Sequence, residues 1–261
     1  MKIAVVYKED NKKALKVASE LKNYIGGKNH EFLDEQKIGE ADFIVVIGGD
    51  GTLIHNASKY CELEIPVIGI NTGNVGFLTA AEAVDWKSAV DKMISGEVYI
   101  SQRIYLKISV GGKVFTAVNE AVIKGLLRVI DLDVVVDGEE FLRIYGDGVI
   151  VATQTGSTAY SLSSGGPIVD AELDCLIVTP INPIGLPIPS AVLSSDDEVV
   201  VKVAHGEDVS LIVDGQQIEK IAQGAEIKIT KSEKKIKLGY FSKHHFLNNL
   251  NVKFGLSSRG S

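Results

Sequence analysis

The feature that most constrains this chain is a change of hydrophobic period near residue 98. Before it, short apolar runs alternate with stretches whose apolar residues recur at helical spacing, the pattern of a parallel α/β layer. Ile3 to Tyr7 predicts a strand. Asp10 is placed to cap a helix in which Leu15, Ala18, Leu21 and Ile25 share a face, ended by Gly26-Gly27. Phe43 to Ile47 is an unbroken apolar run, as a strand buried on both faces requires. Thr52 to Tyr60 predicts a helix, Pro66 to Ile70 a strand and Val84 to Ile94 another helix. After residue 98 the period is two. Arg103 to Val110 and Lys113 to Lys124 flank Gly111-Gly112, and Asp131 to Val136 and Glu139 to Ile144 flank Asp137-Gly138. Val209 to Val213 and Gln216 to Ile221 flank Asp214-Gly215. These are hairpin signals. Further strands are expected at Leu173 to Thr179, Glu198 to Ala204, Ala225 to Thr230 and Lys235 to Tyr240, so the second region reads as a mostly antiparallel sandwich.

A chain of 261 residues with 45% hydrophobic residues can bury such cores without staples. Its two cysteines, Cys61 and Cys175, form no CxxC pair, which excludes a zinc site or redox couple of that type. The net charge of −7 gives no basic footprint for nucleic acid or an anionic membrane, so neither partner is expected. No apolar run is long enough to span a bilayer. The opening residues read as a strand rather than a leader, and the small polar end Ser257 to Ser261 carries no functional weight. A cytoplasmic location is expected. Any anionic ligand must then be held by local groups: backbone N–H donors, a few cations, or a metal.

The sharpest such group is Gly48-Gly49-Asp50-Gly51-Thr52, set between a buried strand and a helix. Glycines admit a close approach of ligand to backbone, and a new helix aims free N–H groups at phosphate. Asp50 is the one carboxylate of that turn, suited to binding a metal, to taking a proton from a hydroxyl, or simply to capping the helix. The segment is neither a Walker A loop nor a GxGxxG fingerprint. Asn71 to Thr79 follows the next strand and so emerges at the same carboxyl edge, where ligands of open sheets bind. Asn119-Glu120 interrupts an apolar strand running from Val114 to Ile123; such a pair needs partners if buried, or marks a turn. Gly146-Asp147-Gly148 and the hydroxyl-rich run Thr155 to Gly166 complete the series, the latter a plausible cradle for a ribose and a flat base.

Taken together, these segments resemble the ATP–NAD kinase family. The matching elements are Gly48 to Thr52, Gly73 to Thr79 with Gly76-Phe77-Leu78-Thr79, Asn119-Glu120, Gly146-Asp147-Gly148, Thr155 to Gly166 and Asp214-Gly215-Gln216. The resemblance runs from residue 1 to about residue 240. It implies an N-terminal Rossmann-like α/β domain over 1–98, to which 241–261 returns, and a C-terminal all-β sandwich over 99–240. It also implies transfer of the γ-phosphoryl group of ATP to the 2′-hydroxyl of the adenosine ribose of NAD, with Mg²⁺ or another divalent cation riding on the nucleotide rather than in a protein cage. Asp50 is implied as the proton acceptor. Gly48, Gly49, Gly51, Thr52 and Gly73 are implied near the donor phosphates, with His55 as a basic residue beside them. Phe77, Asn119, Glu120, Thr158, Ala159, Tyr160, Ser163 and Gln216 are implied around NAD, with Asn119 and Glu120 on the ribose hydroxyls. Asp147 is implied to reach the nicotinamide portion from a neighbouring subunit, so a homodimer or homotetramer is expected. Asn182 is implied in the NAD pocket, at a contact where many relatives carry Ala; Tyr145 stands where some carry Arg, and the lesser charge there bears on the choice between NAD and NADH. The other histidines, His30, His205, His244 and His245, have no metal-ligand spacing. The rival readings are a lipid kinase sharing the GGDGT turn, a sugar-phosphate kinase, and an NAD-binding protein without turnover.

Overall fold

The computed structural model describes residues 1–73 and 76–255, and for Gln217 and Ile218 the backbone alone. The apolar runs of the first region become strands β1 (Lys2–Tyr7), β2 (Glu31–Leu33), β3 (Phe43–Gly48), β4 (Val67–Asn71), β5 (Ala81–Glu82) and β6 (Tyr99–Arg103). Three helices alternate with them: α1 (Lys12–Gly27), α2 (Asp50–Lys59) and α3 (Trp86–Ile94). The cap of α1 is Asn11, not Asp10: its Oδ1 accepts from the amides of Lys13 and Ala14 at 3.0 and 3.1 Å. The buried face of α1 is Ala14, Val17, Ala18, Leu21 and Ile25, and Leu15 points outward. Helix α2 begins two residues earlier than its apolar pattern predicts, which puts Asp50 in the first helical turn.

The second region forms two six-stranded antiparallel sheets. Its strands are β7 (Leu106–Val110), β8 (Lys113–Ala117), β9 (Glu120–Gly125), β10 (Ile130–Val136), β11 (Glu139–Gly146), β12 (Gly148–Thr153), β13 (Cys175–Ile181), β14 (Ala191–Ser194), β15 (Val199–His205), β16 (Val209–Val213), β17 (Gln216–Ile221) and β18 (Glu226–Lys231), with one helical turn, α4 (Tyr160–Ser163), after β12. One sheet runs β11-β10-β15-β18-β7-β8 and the other β14-β13-β12-β9-β16-β17. Ile108, Leu132, Val201 and Ile229 of the first meet Ile123, Val151, Val178 and Leu211 of the second in one core, the interdigitation of a sandwich. Strands β9, β12 and β13 are buried on their other face too, through Val122, Ile150 and Ile177. The expected continuous strand Val114 to Ile123 is in fact two strands: the chain leaves one sheet at Ala117 and enters the other at Glu120. The polar pair Asn119-Glu120 marks that crossing. Gly146-Asp147-Gly148 marks another, where a Cβ on Gly148 would stand 2.2 Å from the Ile123 carbonyl oxygen.

The chain closes with β19 (Ile236–Tyr240) and α5 (His245–Phe254). The first sheet therefore runs β2-β1-β3-β4-β19-β6, with β5 beside β4. Residues 99–102 and 236–240, read from period two as part of the sandwich, pair in the α/β sheet instead; a lone strand's alternation does not say which sheet it joins. Two compact units result, Met1–Gln102 with Ile236–Ser261 and Arg103–Lys235. The expectation for Ser257 to Ser261 lies outside the described residues.

Candidate active site

In the α/β unit the GGDGT turn separates into glycines with different jobs. A Cβ on Gly48 would lie 2.5 Å from the Cβ of Thr52, so Gly48 lets α2 start close against β3. Gly49, the N-cap, has an extended backbone at φ −97° and ψ −175° that any residue adopts. Neither Gly49 nor Gly51 has an atom within 4 Å of where its Cβ would be. Folding does not demand glycine there; open space in front of unpaired helix N–H groups is what a phosphate needs. A cavity of about 500 Å³ lies beside them, lined by Tyr7, Lys8, Gly51, Thr52, His55 and Asn56 among others. His55 is exposed on α2 and faces that cavity with Lys8, giving two basic side chains near the positive end of the helix.

Asp50 turns away from its own helix. Its Oδ2 accepts from the Phe77 amide at 2.6 Å, and its Oδ1 from those of Leu78 and Thr79 at 3.1 and 3.3 Å. The turn is pressed so tightly that a Cβ on Gly76 would fall 2.1 Å from Oδ1. A carboxylate offers about four lone pairs. One on Oδ2 is left after these three bonds. The same turn is held from behind by α5. Asn249 Nδ2 donates to the carbonyls of Phe77 and Gly76 at 3.1 and 3.4 Å, and Lys253 Nζ lies 3.7 Å from the centre of the Phe77 ring. Sequence reading missed Asn249, since nothing in an amphipathic C-terminal stretch singles it out. Gly73 is exposed, and its amide donates to Asn71 Oδ1 at 3.0 Å. Asn74 and Val75, inside the matched run, lie outside the described residues.

In the β unit the crossing at Val118 to Glu120 is fixed by a second carboxylate. Asp214 occupies the left-handed first position of the β16–β17 turn at φ 45°. It accepts from the amides of Val118, Asn119 and Glu120 at 2.8, 2.8 and 3.2 Å. Thr153 works from the other side, donating through Oγ1 to the Val118 carbonyl at 2.7 Å. Asn119 and Glu120 are thereby buried with their polar ends unspent. Among the described residues, Asn119 Oδ1, Glu120 Oε2, Gln154 Oε1 and Thr155 Oγ1 have no hydrogen-bond partner. Each such atom costs ~1–3 kcal/mol if nothing fills it, and the adjacent pair on Asn119 and Glu120 marks a candidate polar ligand site. Burial, with the Asp214 charge second, pushes the Glu120 carboxyl up to about 8, against a Tyr160 amide that favours the anion. Burial also raises Asp214, offset by its three amide donors.

The loop 155–163 lies against this crossing. A Cβ on Gly156 would come 2.2 Å from the Asn119 carbonyl oxygen, so that glycine is required by contact. Thr158 and Ala159 are half-buried, while Tyr160 and Ser163 are exposed and available to a ligand. Gln216 is exposed two residues after Asp214. Asp147 and Asn182 are not part of the cluster. Asn182 Nδ2 donates to Asp147 Oδ2 at 2.8 Å, at the far end of β12 from the residue paired with Glu120, Ala152. Five residue steps of strand separate Asp147 from Ala152, roughly 17 Å.

The comparisons with known proteins agree over most of the chain. A model of the ATP-NAD kinase N-terminal domain matches residues 2–98, and one of the ATP-NAD kinase C-terminal domain matches residues 118–239. An NAD kinase of Fusobacterium nucleatum is 34% identical over 258 residues, 97% of each chain. One of Clostridium botulinum is 38% identical over 234 residues, 87% of this chain and 83% of its own. Among solved structures, an NAD kinase from Archaeoglobus fulgidus in complex with ATP has a TM-score of 0.78 at 32% identity, covering 95% of this chain and 96% of its own. Yeast NADH kinase complexed with NADH has a TM-score of 0.87 at 23% identity, covering 100% and 89%, a likeness of fold.

Proposed function

This chain belongs to the ATP-NAD kinase family, and from that premise we propose how its residues share the ATP-dependent phosphorylation of NAD. The group moved is the γ-phosphoryl of ATP and the acceptor atom is the 2′-hydroxyl of the adenosine ribose. The observation that carries the assignment is the adjacent pair of buried, unpartnered oxygens on Asn119 and Glu120. A vicinal diol supplies the donors that Asn119 Oδ1 and Glu120 Oε2 lack. Thr158, Ala159, Tyr160, Ser163 and Gln216 line the rest of the acceptor site. In the α/β unit, Gly48 shapes the turn, and Gly49, Gly51, Thr52, Gly73 and His55 receive the donor phosphates. The remaining lone pair of Asp50 Oδ2 accepts the hydroxyl proton as the bond to phosphorus forms. Phe77 serves that step by donating its amide to Asp50.

A divalent cation, Mg²⁺ in this proposal, neutralises charge on the triphosphate during transfer. Among the described residues no group of three or more His, Cys, Asp or Glu is placed to hold a metal. A homodimer or homotetramer belongs to the same proposal, because Asp147 lies roughly 17 Å of strand from Glu120 and is better placed to serve a neighbouring copy. Cytoplasmic location does too, in keeping with a chain that has only two cysteines, Cys61 and Cys175. No helix among the described residues is long and apolar enough to cross a membrane. The deciding experiment incubates the protein with Mg²⁺-ATP and NAD and assays NADP, with diacylglycerol as acceptor in a parallel reaction. NADP with no phosphorylated lipid is expected; phosphatidic acid alone sinks the reading. Light scattering on the active enzyme tests the assembly, and an active monomer removes Asp147 from the site.

A further inference from the structure

The function assigned above uses Glu120 but gives no reason for the carboxylate beside it. Glu120 is 4% exposed, and its Oε2 has no hydrogen-bond partner. The groups that face it can be named element by element. From the β16–β17 turn comes Asp214, whose carboxylate binds the Glu120 amide itself at 3.2 Å. From the 154–163 segment comes the Tyr160 amide, the one group there that favours the anion. Strand β12 presents Ala152 opposite Glu120, and β16 presents Val213 opposite Ala121. Among the described residues neither carboxylate takes part in an ion pair. Two buried acids are therefore neighbours with no cation beside them among the described residues, an arrangement in which both cannot be ionised without large cost. Asp214 has three amide donors to hold its charge, whereas Glu120 has one. The charge settles on Asp214, and the proton on Glu120.

We propose that Asp214 is a positioning residue that sets the Asn119-Glu120 edge and keeps a proton on Glu120 until the acceptor arrives, so that NAD binding releases that proton to solvent. The inference rests on the reading of Glu120 as a ligand of the NAD ribose. A vicinal diol brings two O–H donors to a group that, in the empty site, has an unspent oxygen. Donors to a carboxylate favour its charged form. The diol can therefore do for Glu120 what three backbone amides already do for Asp214. No bond is made or broken except O–H to proton and carboxylate, with the proton taken up by buffer. Burial, with the Asp214 charge second, holds the Glu120 carboxyl up at about 8 in the empty site, which places the linkage in the range where the enzyme is assayed.

The test is calorimetric titration of NAD into the whole protein at pH 7, in buffers of differing ionisation enthalpy. The wild type is expected to release close to one proton per NAD, with none released above pH 9. Glu120→Gln is expected to release none and to bind NAD at least ~10-fold more weakly. Asp214→Asn is expected to release measurably less than the wild type at pH 7, since burial alone is then left to hold the proton on Glu120. A purely structural role for Asp214 predicts weaker binding with the proton count unchanged, and that result overturns the proposal. A buffer-independent enthalpy in a wild type that binds NAD also overturns it, while leaving Glu120 in the site. Unchanged NAD affinity in Glu120→Gln instead sinks the underlying assignment. Should Asp214→Asn fail to fold, carboxyl ¹³C NMR of the wild type decides: Glu120 is expected to titrate near 8 when free and in the ordinary carboxylate range or below with NAD bound. Titration in the ordinary range in the free protein ends the proposal.

Discussion

Asp50 and Asp214 are held by the same device in two unrelated surroundings. Each carboxylate gathers three successive backbone amides, Phe77 to Thr79 in one case and Val118 to Glu120 in the other. Each holds a turn, one in the α/β unit and one in the β unit. The difference lies in the neighbours. Asp50 stands at the start of a helix beside glycines with open space before them, where negative charge is welcome. Asp214 stands beside a second buried acid, where it is not. The first arrangement leaves a charged oxygen exposed to chemistry. The second spends its charge on scaffolding and hands recognition, with a proton, to Glu120.

The largest effect should come from breaking the first knot. Asp50→Asn removes the charge and the basicity, and is expected to lower kcat by ~10²–10⁴-fold. NAD affinity should stay within a few-fold, because the proposed ribose ligands are in the other unit. The geometry adds a complication. All three partners of Asp50 are donors, so one of them must face the new NH₂ group, at a cost of about 1–3 kcal/mol in stability. Thermal unfolding should accompany the kinetics. A normal kcat removes Asp50 from catalysis; partial rescue of rate by raised Mg²⁺ assigns it to the metal instead.

Breaking the second knot should show in stability against pH. The folded-state pKa of Glu120 is raised, so its contribution is fully present below the unfolded pKa and is lost as pH rises through about 8. Asp214, also raised, acts in the same direction. From pH 6 to pH 9 the empty protein is expected to lose about 2–3 kcal/mol. Glu120→Gln should flatten that slope, and saturating NAD should flatten it too. Urea unfolding at several pH values measures this; a slope unchanged by Glu120→Gln shows that other groups cause it.

How much of this was legible in advance differs between the two units. The parallel layer, the hairpins at Asp137-Gly138 and Asp214-Gly215, and the sandwich follow from periodicity and turn chemistry, which are local. The crossing at Asn119-Glu120 was visible only as a polar interruption, because a change of sheet leaves no periodic trace. Strands β6 and β19 read as sandwich strands for the same reason. Glycines were legible as a class but not by purpose. Gly48, Gly76 and Gly156 are demanded by neighbouring atoms, while Gly49 and Gly51 face nothing, and only coordinates separate the two. Gly76→Ala is therefore expected to cost about 1–3 kcal/mol and to displace Asp50. Gly51→Ala should fold normally and raise the KM for ATP. Equal stability of the two variants would show that the turn at Gly76 gives way without cost.

The smallest effect tests how far the first knot extends. Asn249 is three links from chemistry: its side chain holds the carbonyls of Gly76 and Phe77, and that turn's amides hold Asp50. Its Nδ2 also lies 2.9 Å from His245 Nε2, and the His245 ring stacks on Tyr240 at 4.3 Å. The chain's last described helix is thus fastened to the turn that orients the proposed base. Asn249→Ala removes the two hydrogen bonds to these carbonyls and the contact with His245, so stability should fall by about 1–2 kcal/mol. Catalysis should suffer more than binding, since a turn free to shift misplaces Asp50 without touching the acceptor site. A kcat lowered ~3–10-fold with the KM for NAD unchanged is the expected split. The β unit offers the control. Ser210→Ala lies on β16, outside the proposed ligand contacts, and any loss it causes should follow stability rather than kcat alone. If Asn249→Ala lowers kcat only in proportion to the fraction unfolded, α5 is a structural lid on the sheet and the alignment of Asp50 is complete within the 76–79 turn. If kcat falls in a fully folded protein, the positioning of the base extends through α5 to His245.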